Sequence, residues 1–276
     1  MRSVAIVGVG LIGGSFGLAL RKAGFRGEIT GVSSPATIEK AVQAGAIDRG
    51  ESLEQACVHA DLILLAAPIA RIIEQLPRVM ALARHDAIVT DAGSTKRAIC
   101  AAAASARGRA RFVGGHPMAG KETRGVESAE ASLFAGRPWI LCGAERDDAV
   151  NAMFEWAERA GANPLLMTAE EHDRVIAAAS HLPQMVSTAL AAALARRPDA
   201  AAVAANAGPG LTGMTRLALS GADIWQDIAS TNRDEILGCL DALGAELAGL
   251  RQRVDAGTIA EPFAAAAGFA RKVRER

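Results

Sequence analysis

Continuous apolar runs alternate with amphipathic stretches through the first half of the chain, and then the runs stop. Residues 4–7 form the first run, followed by glycines and a helix-like apolar stretch to Leu20. Further strands are expected at 28–33 (EITGVS), 61–66 (DLILLA), 87–91 (AIVTD), 111–114, 139–142 and 164–167. The run at 61–66 is apolar after its first residue, as in a strand covered on both faces. Ser34 and Pro35 suit the cap and first position of a helix that Gly45 stops. Ser52 and Gln55 have the spacing of a capping box. Ile69, Ile72, Leu76, Val79 and Met80 keep helical spacing, with Pro77 expected to kink or restart that helix. Strands alternating with helices define an α/β fold, a doubly wound Rossmann-type parallel sheet with right-handed crossovers. Its ligand belongs beyond the carboxyl ends of the strands.

After Met167 the pattern turns helical. Residues 169–194 suit one long helix, and Pro198 and Gly208-Pro209-Gly210 break the chain beyond it. Thr231 and Asp234 resemble a second capping box. Ile236, Leu240, Leu243, Leu247, Leu250 and Val254 then form a narrow seam, either a core helix or a dimer contact. The expected division is a dinucleotide-binding domain at 1–168 and an all-helical substrate and dimerisation domain at 169–276.

The first turn changes the picture from fold to ligand. Gly8, Gly10 and Gly13 stand as G-x-G-x-x-G, with Leu11 and Ile12 between the last two. The first glycine allows a tight turn, the second a close pyrophosphate, and the third close helix–strand packing. Pro68, after the strand at 61–66, borders the same expected cofactor edge.

Composition narrows the partners. Lys+Arg 30 balances Asp+Glu 30, and aromatics are 4% with no Tyr, so neither a basic field nor a stacking platform invites nucleic acid. No apolar run approaches the roughly 20 residues of a membrane span. The N-terminus enters the first strand directly, so no signal peptide is expected. Cys57, Cys100, Cys142 and Cys239 form no C-x-x-C pair, as expected of free thiols in a reducing cytoplasm. No metal-ligand spacing appears.

Candidate chemistry gathers after two strands. Ser94 in DAGSTK caps a helix or meets a ligand. Gly114 to Glu122 (GGHPMAGKE) is too rich in glycine and proline to be a regular element. His116 within it titrates near neutrality and suits proton transfer. Glu122 orients it, meets substrate or is solvated. On the long helix, His172 and His181 are nine residues apart, which at helical pitch puts them on opposite faces. His172 is expected to be solvated and His181 buried. Arg216 is either a surface residue or a grip on a carboxylate.

VGLIGGS, DAGSTK, GGHPMAGKE, EHD with SHLP, and GLTGMTR/IWQDI occur in the order of the prephenate/arogenate dehydrogenase family, which the chain resembles over nearly its whole length. The resemblance implies an oxidative decarboxylation of a cyclohexadienol in tyrosine biosynthesis and a homodimer through the C-terminal helices. It makes His116 the catalytic histidine, Ser94 its hydrogen-bonding partner, Arg216 the clamp on the ring carboxylate, and His181 and Glu122 substrate-pocket residues. Gln184 stands where many members carry a second histidine, and Gly213 where some carry an acid. The chain ends after the helical region, so no fused mutase or regulatory domain is expected.

His116 would take the proton of the ring hydroxyl as hydride leaves the same carbon and CO2 departs. The cofactor is NADP or NAD. Ser33, Ser34 and Thr37 stand where an NAD site usually ends its second strand in a carboxylate, which favours NADP. Lys121, Arg124 or a residue of the other subunit are candidates for the substrate's second carboxylate. The rivals are a hydroxyacid dehydrogenase and a cofactor-sensing regulator. The first usually needs a lysine in the helical half, and none lies between Met167 and Arg271.

Overall fold

A computed structural model describes residues 2–121 and 123–275. Its first half runs β1 (Ser3–Val7), α1 (Leu11–Lys22), β2 (Glu28–Val32), α2 (Pro35–Gln43), β3 (Arg49–Gly50), α3 (Leu53–His59) and β4 (Leu62–Leu65). It continues through α4 (Ile69–Leu82), β5 (Ile88–Asp91), α5 (Arg97–Ser105), β6 (Arg111–Pro117), β7 (Pro138–Cys142), α6 (Asp148–Arg159) and β8 (Asn163–Met167). The strands form one sheet in the order β3-β2-β1-β4-β5-β6-β7-β8.

All neighbours are parallel except β6 and β7, which pair antiparallel with His116 opposite Ile140. A parallel return needs a crossover. Among the described residues of 118–137 the only helical piece is a 3-10 turn (Val126–Ser128), and the chain doubles back instead. The doubly wound parallel sheet expected above is present, with this one antiparallel pair as its exception. A correction concerns Gly114 to Pro117: these residues are regular strand, the end of β6. Glycine at 115 is required there, because a Cβ would stand 2.5 Å from the Asp91 carbonyl oxygen.

Apolar side chains fill both faces of the sheet. Val4, Ile6, Phe16, Leu20, Trp139 and Phe154 belong to one core, and Ala5, Val7, Ile63, Leu65, Ile72 and Val79 to the other. Alternation along β1 divides its side chains between them. α4 runs unbroken through Pro77. Pro77 is exposed, and its missing N–H leaves the Ile73 carbonyl without its intrahelical donor while the helix continues.

The second half comprises α7 (Ala169–Ile176), a π-turn (Ala177–His181), α8 (Leu182–Ala195), α9 (Ala200–Ala205) and α10 (Pro209–Thr215). A 3-10 turn (Arg216–Leu219), α11 (Ala222–Thr231), α12 (Arg233–Asp255) and α13 (Ala260–Arg274) complete it. Ile228 of α11 and Ile236 of α12 enter the second core, so the helical half packs on the sheet. Thr231 does not cap α12: its hydroxyl donates to the Asp227 carbonyl at 2.7 Å, and Asn232 takes the cap position.

The seam on α12 begins in the core at Ile236 and leaves it, with Leu247 57% and Val254 61% exposed. Among the described helices, 169–195 alone is long and apolar enough, by length and composition, to cross a membrane. That corrects the expectation of no such run. Its first turns carry the buried polar side chains of the site described next.

Candidate active site

The carboxyl ends of β1, β2, β4, β5 and β6 share one edge of the sheet, because these strands are mutually parallel. At β1 the chain turns at Gly8 with φ +95°, and a Cβ there would stand 2.4 Å from the Ala66 carbonyl oxygen. A Cβ on Gly13 would meet the Gly8 carbonyl oxygen at 2.2 Å, so α1 lies directly on the turn. Gly10 faces open space. It is the cap residue of α1, and no side chain caps that helix. Free N–H groups beside an open backbone suit a pyrophosphate. Leu11 and Ile12 open α1, half-buried, and exposed Pro68 is the cap residue of α4 beyond β4. Beyond β2, Ser33 and Ser34 are exposed, and the Ser34 hydroxyl accepts from the Thr37 N–H at 3.3 Å and meets the Thr37 hydroxyl at 2.9 Å.

His116 is the last residue but one of β6, three strands from the glycine turn, or ~14 Å at ~4.8 Å per strand. Its backbone is fixed by a buried ion pair. Asp91 accepts from the Gly115 N–H at 3.0 Å and from the Gly93 N–H at 2.8 Å. Lys96 pairs with Asp91 and donates to the Gly115 carbonyl at 2.7 Å. Both side chains are fully buried.

The imidazole is fixed from the helical half. His116 Nδ1 lies 2.8 Å from His172 Nε2, and His172 Nδ1 lies 2.8 Å from Asp173 Oδ1. Asp173 also accepts from the backbone N–H groups of Lys96 at 2.7 Å and Arg97 at 3.0 Å. It thereby caps α5 from another domain, where that helix has no side-chain cap of its own. Asn232 donates to the Asp173 carbonyl at 2.8 Å and accepts from Arg97 at 2.9 Å. Its amide nitrogen lies 3.4 Å from His181 Nδ1. His181 packs edge-on against Trp225, and its Nε2 is buried without a hydrogen-bond partner.

Two expectations are corrected here. His172 is fully buried, not solvated. It shares one polar cluster with His181, because the π-turn takes an extra residue per turn and rotates the two towards each other. Ser94 is half-buried on the β5–α5 loop and does not cap α5, and the imidazole of His116 bonds to His172. Glu122 lies outside the described residues.

Arg216 is exposed at the start of its 3-10 turn. α8 holds that turn: Gln184 donates to the Leu217 carbonyl at 2.8 Å, and the Ser187 hydroxyl accepts from the Ala218 N–H at 3.0 Å. Gln184 is one helical turn from His181, so the two candidate regions share one element. Arg124 is committed to a two-bond pair with Asp223 at 2.6 and 2.8 Å, and Lys121 pairs with Glu130 at 2.9 Å.

Burial pushes all three histidines towards the neutral form. His116 is held well below its ordinary value by burial, then by the charges of His172, Lys96 and His181. Burial also lowers His172, against the opposing pull of Asp173, and brings His181 down to about 4. Unfolding restores a value near 6.5, so the unfolded chain binds more protons below that pH. Stability therefore falls as pH drops from 6.5 towards 4, by up to about 1.4 kcal/mol per pH unit for each histidine that stays neutral. Urea midpoints at pH 7.5 and pH 5 test this, and equal midpoints contradict it.

An open glycine turn and a buried neutral imidazole on one sheet edge define a two-domain nucleotide-dependent dehydrogenase. Known proteins narrow the class. Residues 16–165 match the nucleotide-binding domain of prephenate dehydrogenase and residues 168–265 its dimerization domain, and the chain belongs to the prephenate dehydrogenase family. A prephenate dehydrogenase of Bacillus subtilis is 31% identical over 92% of this chain and 70% of its own. A prephenate dehydrogenase from A. aeolicus, solved with hydroxyphenyl propionate and NAD+, superposes with a TM-score of 0.88 at 31% identity, covering 100% and 98% of the two chains. Synechocystis arogenate dehydrogenase gives 0.84 at 29% identity, covering 98% and 99%. The hydroxyacid dehydrogenase and regulator readings are not favoured by these matches.

Proposed function

We propose that the chain oxidatively decarboxylates prephenate or arogenate, with His116 as the base. The observation that carries this is a buried imidazole on the cofactor edge of the sheet, held neutral by burial, with its Nδ1 engaged by His172 so that Nε2 is the nitrogen left for substrate. The dinucleotide, when bound, supplies the hydride acceptor, and Gly8, Gly10, Leu11, Ile12, Gly13, Ser33, Ser34, Thr37 and Pro68 would hold it. His116 Nε2 takes the proton of the ring hydroxyl as that carbon is oxidised to a carbonyl. CO2 leaves the opposite ring carbon, its electron pair enters the ring, and aromatisation makes the reaction downhill. The protein's task is orientation and one proton transfer. Ser94, on the loop after β5 at the same edge of the sheet, would meet the reacting groups on this reading. His181 offers a buried Nε2 that a bound ligand would satisfy.

Arg216 clamps the ring carboxylate on this reading, and Glu122 is assigned a substrate-binding role from the sequence motif alone. Arg216→Ala raises KM far more than it lowers kcat, because a ground-state anchor is lost. Gln184→Ala does the same more weakly, by freeing the turn that carries Arg216. An unchanged KM for prephenate and arogenate in Arg216→Ala contradicts the clamp.

NADP is the favoured cofactor, since exposed hydroxyls and no carboxylate follow β2. The ratio of kcat/KM for NADP and NAD tests it, and a strong NAD preference overturns it. Residues 1–168 and 169–276 serve as the cofactor and the substrate and dimerisation units. The uncovered Leu247, Val254, Phe263 and Phe269 of α12 and α13 support a homodimer, and four free cysteines suit the cytoplasm.

A further inference from the structure

Proton positions along the line from Asp173 to His116 follow from counting donors. Asp173 is fully buried, and burial alone would favour its protonated form. Hydrogen bonds from His172 and from the Arg97 and Lys96 backbones outweigh that and hold the carboxyl below its ordinary range. A carboxylate only accepts, so His172 Nδ1 carries a proton and donates it. A neutral imidazole has one N–H, so His172 Nε2 is then an acceptor. The 2.8 Å contact with His116 needs one proton, and only His116 Nδ1 is left to supply it. The single proton of His116 is thereby fixed on Nδ1, and the lone pair on Nε2.

We propose that Asp173 and His172 are positioning residues that lock His116 in the tautomer whose Nε2 is free to accept the substrate proton. The proposal rests on His116 being the base. The lock works against intrinsic preference, since a neutral histidine in water favours the proton on Nε2. It also serves the reaction after transfer. The imidazolium formed at His116 keeps Nδ1–H on His172 and gains from the Asp173 charge beyond it, while no proton leaves the chain. Removing the carboxylate would invert every donor in the line. An asparagine at 173 can donate to His172 Nδ1, which turns His172 Nε2 into a donor and leaves His116 protonated on Nε2.

Two-bond 1H–15N correlation spectra of 15N-histidine-labelled protein at pH 7.5 read the tautomers directly. The His116 signal is assigned by its loss in His116→Asn. The expected wild-type result is protonation on Nδ1, and protonation on Nε2 overturns the proposal. Asp173→Asn moves that proton to Nε2 and lowers kcat by about 10²-fold or more, with KM nearly unchanged. Asp173 also caps α5, so His172 is varied independently. His172→Phe keeps a ring but loses the acceptor, releases His116 to the Nε2 form, and lowers kcat by about 10²-fold. His172→Gln keeps one acceptor and one donor and retains kcat within about tenfold, with the proton still on Nδ1. Unchanged kcat and tautomer in His172→Phe overturn the lock. Normal turnover in His116→Asn would instead sink the base assignment, while the wild-type spectrum still decides the tautomer.

Discussion

Replacing His116 with asparagine lowers kcat by about 10²–10⁴-fold. Asparagine keeps a polar group near the Nδ1 position and can still meet His172. It has no nitrogen lone pair of suitable basicity at the position of Nε2, so proton removal falls to water. KM for prephenate and arogenate changes little, because on this reading the carboxylate clamp lies with Arg216 on a different element. The fold should tolerate the change, since His116 is held mainly through the Gly115 peptide beside it. Circular dichroism and the urea midpoint separate a catalytic loss from misfolding. A folded His116→Asn protein with kcat within threefold of wild type would remove His116 from the chemistry.

The sequence made the cofactor edge legible because its signals are local. The glycine spacing, the Ser34–Pro35 start and the capping box at Ser52 and Gln55 all depend on residues within a few positions, and each forms as read. The neighbourhood of His116 depends on distant residues and is less legible. Asp173 caps a helix 76 residues earlier in the chain, so nothing near Lys96 and Arg97 announces it. Ser94 looked like the cap because it is the nearest hydroxyl, yet the structure uses a carboxylate from α7. His172 was misplaced by uniform helix arithmetic. Constant rotation per residue fails at the π-turn, and no local composition rule marks such a turn. The one available clue was the concentration of polar residues, EHD, at the start of an otherwise Ala-rich helix. Reading β6 as ending at Gly114 had a similar cause: the glycines suggested a loop, whereas they admit Asp91 and Lys96 close to the strand backbone.

Lys96→Met destabilises the protein by about 3–5 kcal/mol, the cost of leaving a buried charge without its partner. Methionine fills much of the lysine's volume, so loss of packing contributes little. What remains is the Asp91 carboxylate, fully buried, with two backbone N–H groups and no cation. The Gly115 carbonyl also loses its donor, and its burial makes that loss costly as well. Asp91→Asn in the same chain removes the stranded charge while an amide oxygen still accepts a backbone N–H. The double variant should therefore recover a large part of the loss, and that recovery separates electrostatic from steric damage. Urea denaturation of the four proteins of the cycle gives both numbers. A loss below about 1 kcal/mol in Lys96→Met would mean that water or a shifted side chain replaces the lysine. The Gly115 peptide would then not owe its position to this ion pair, and neither would the imidazole that follows it.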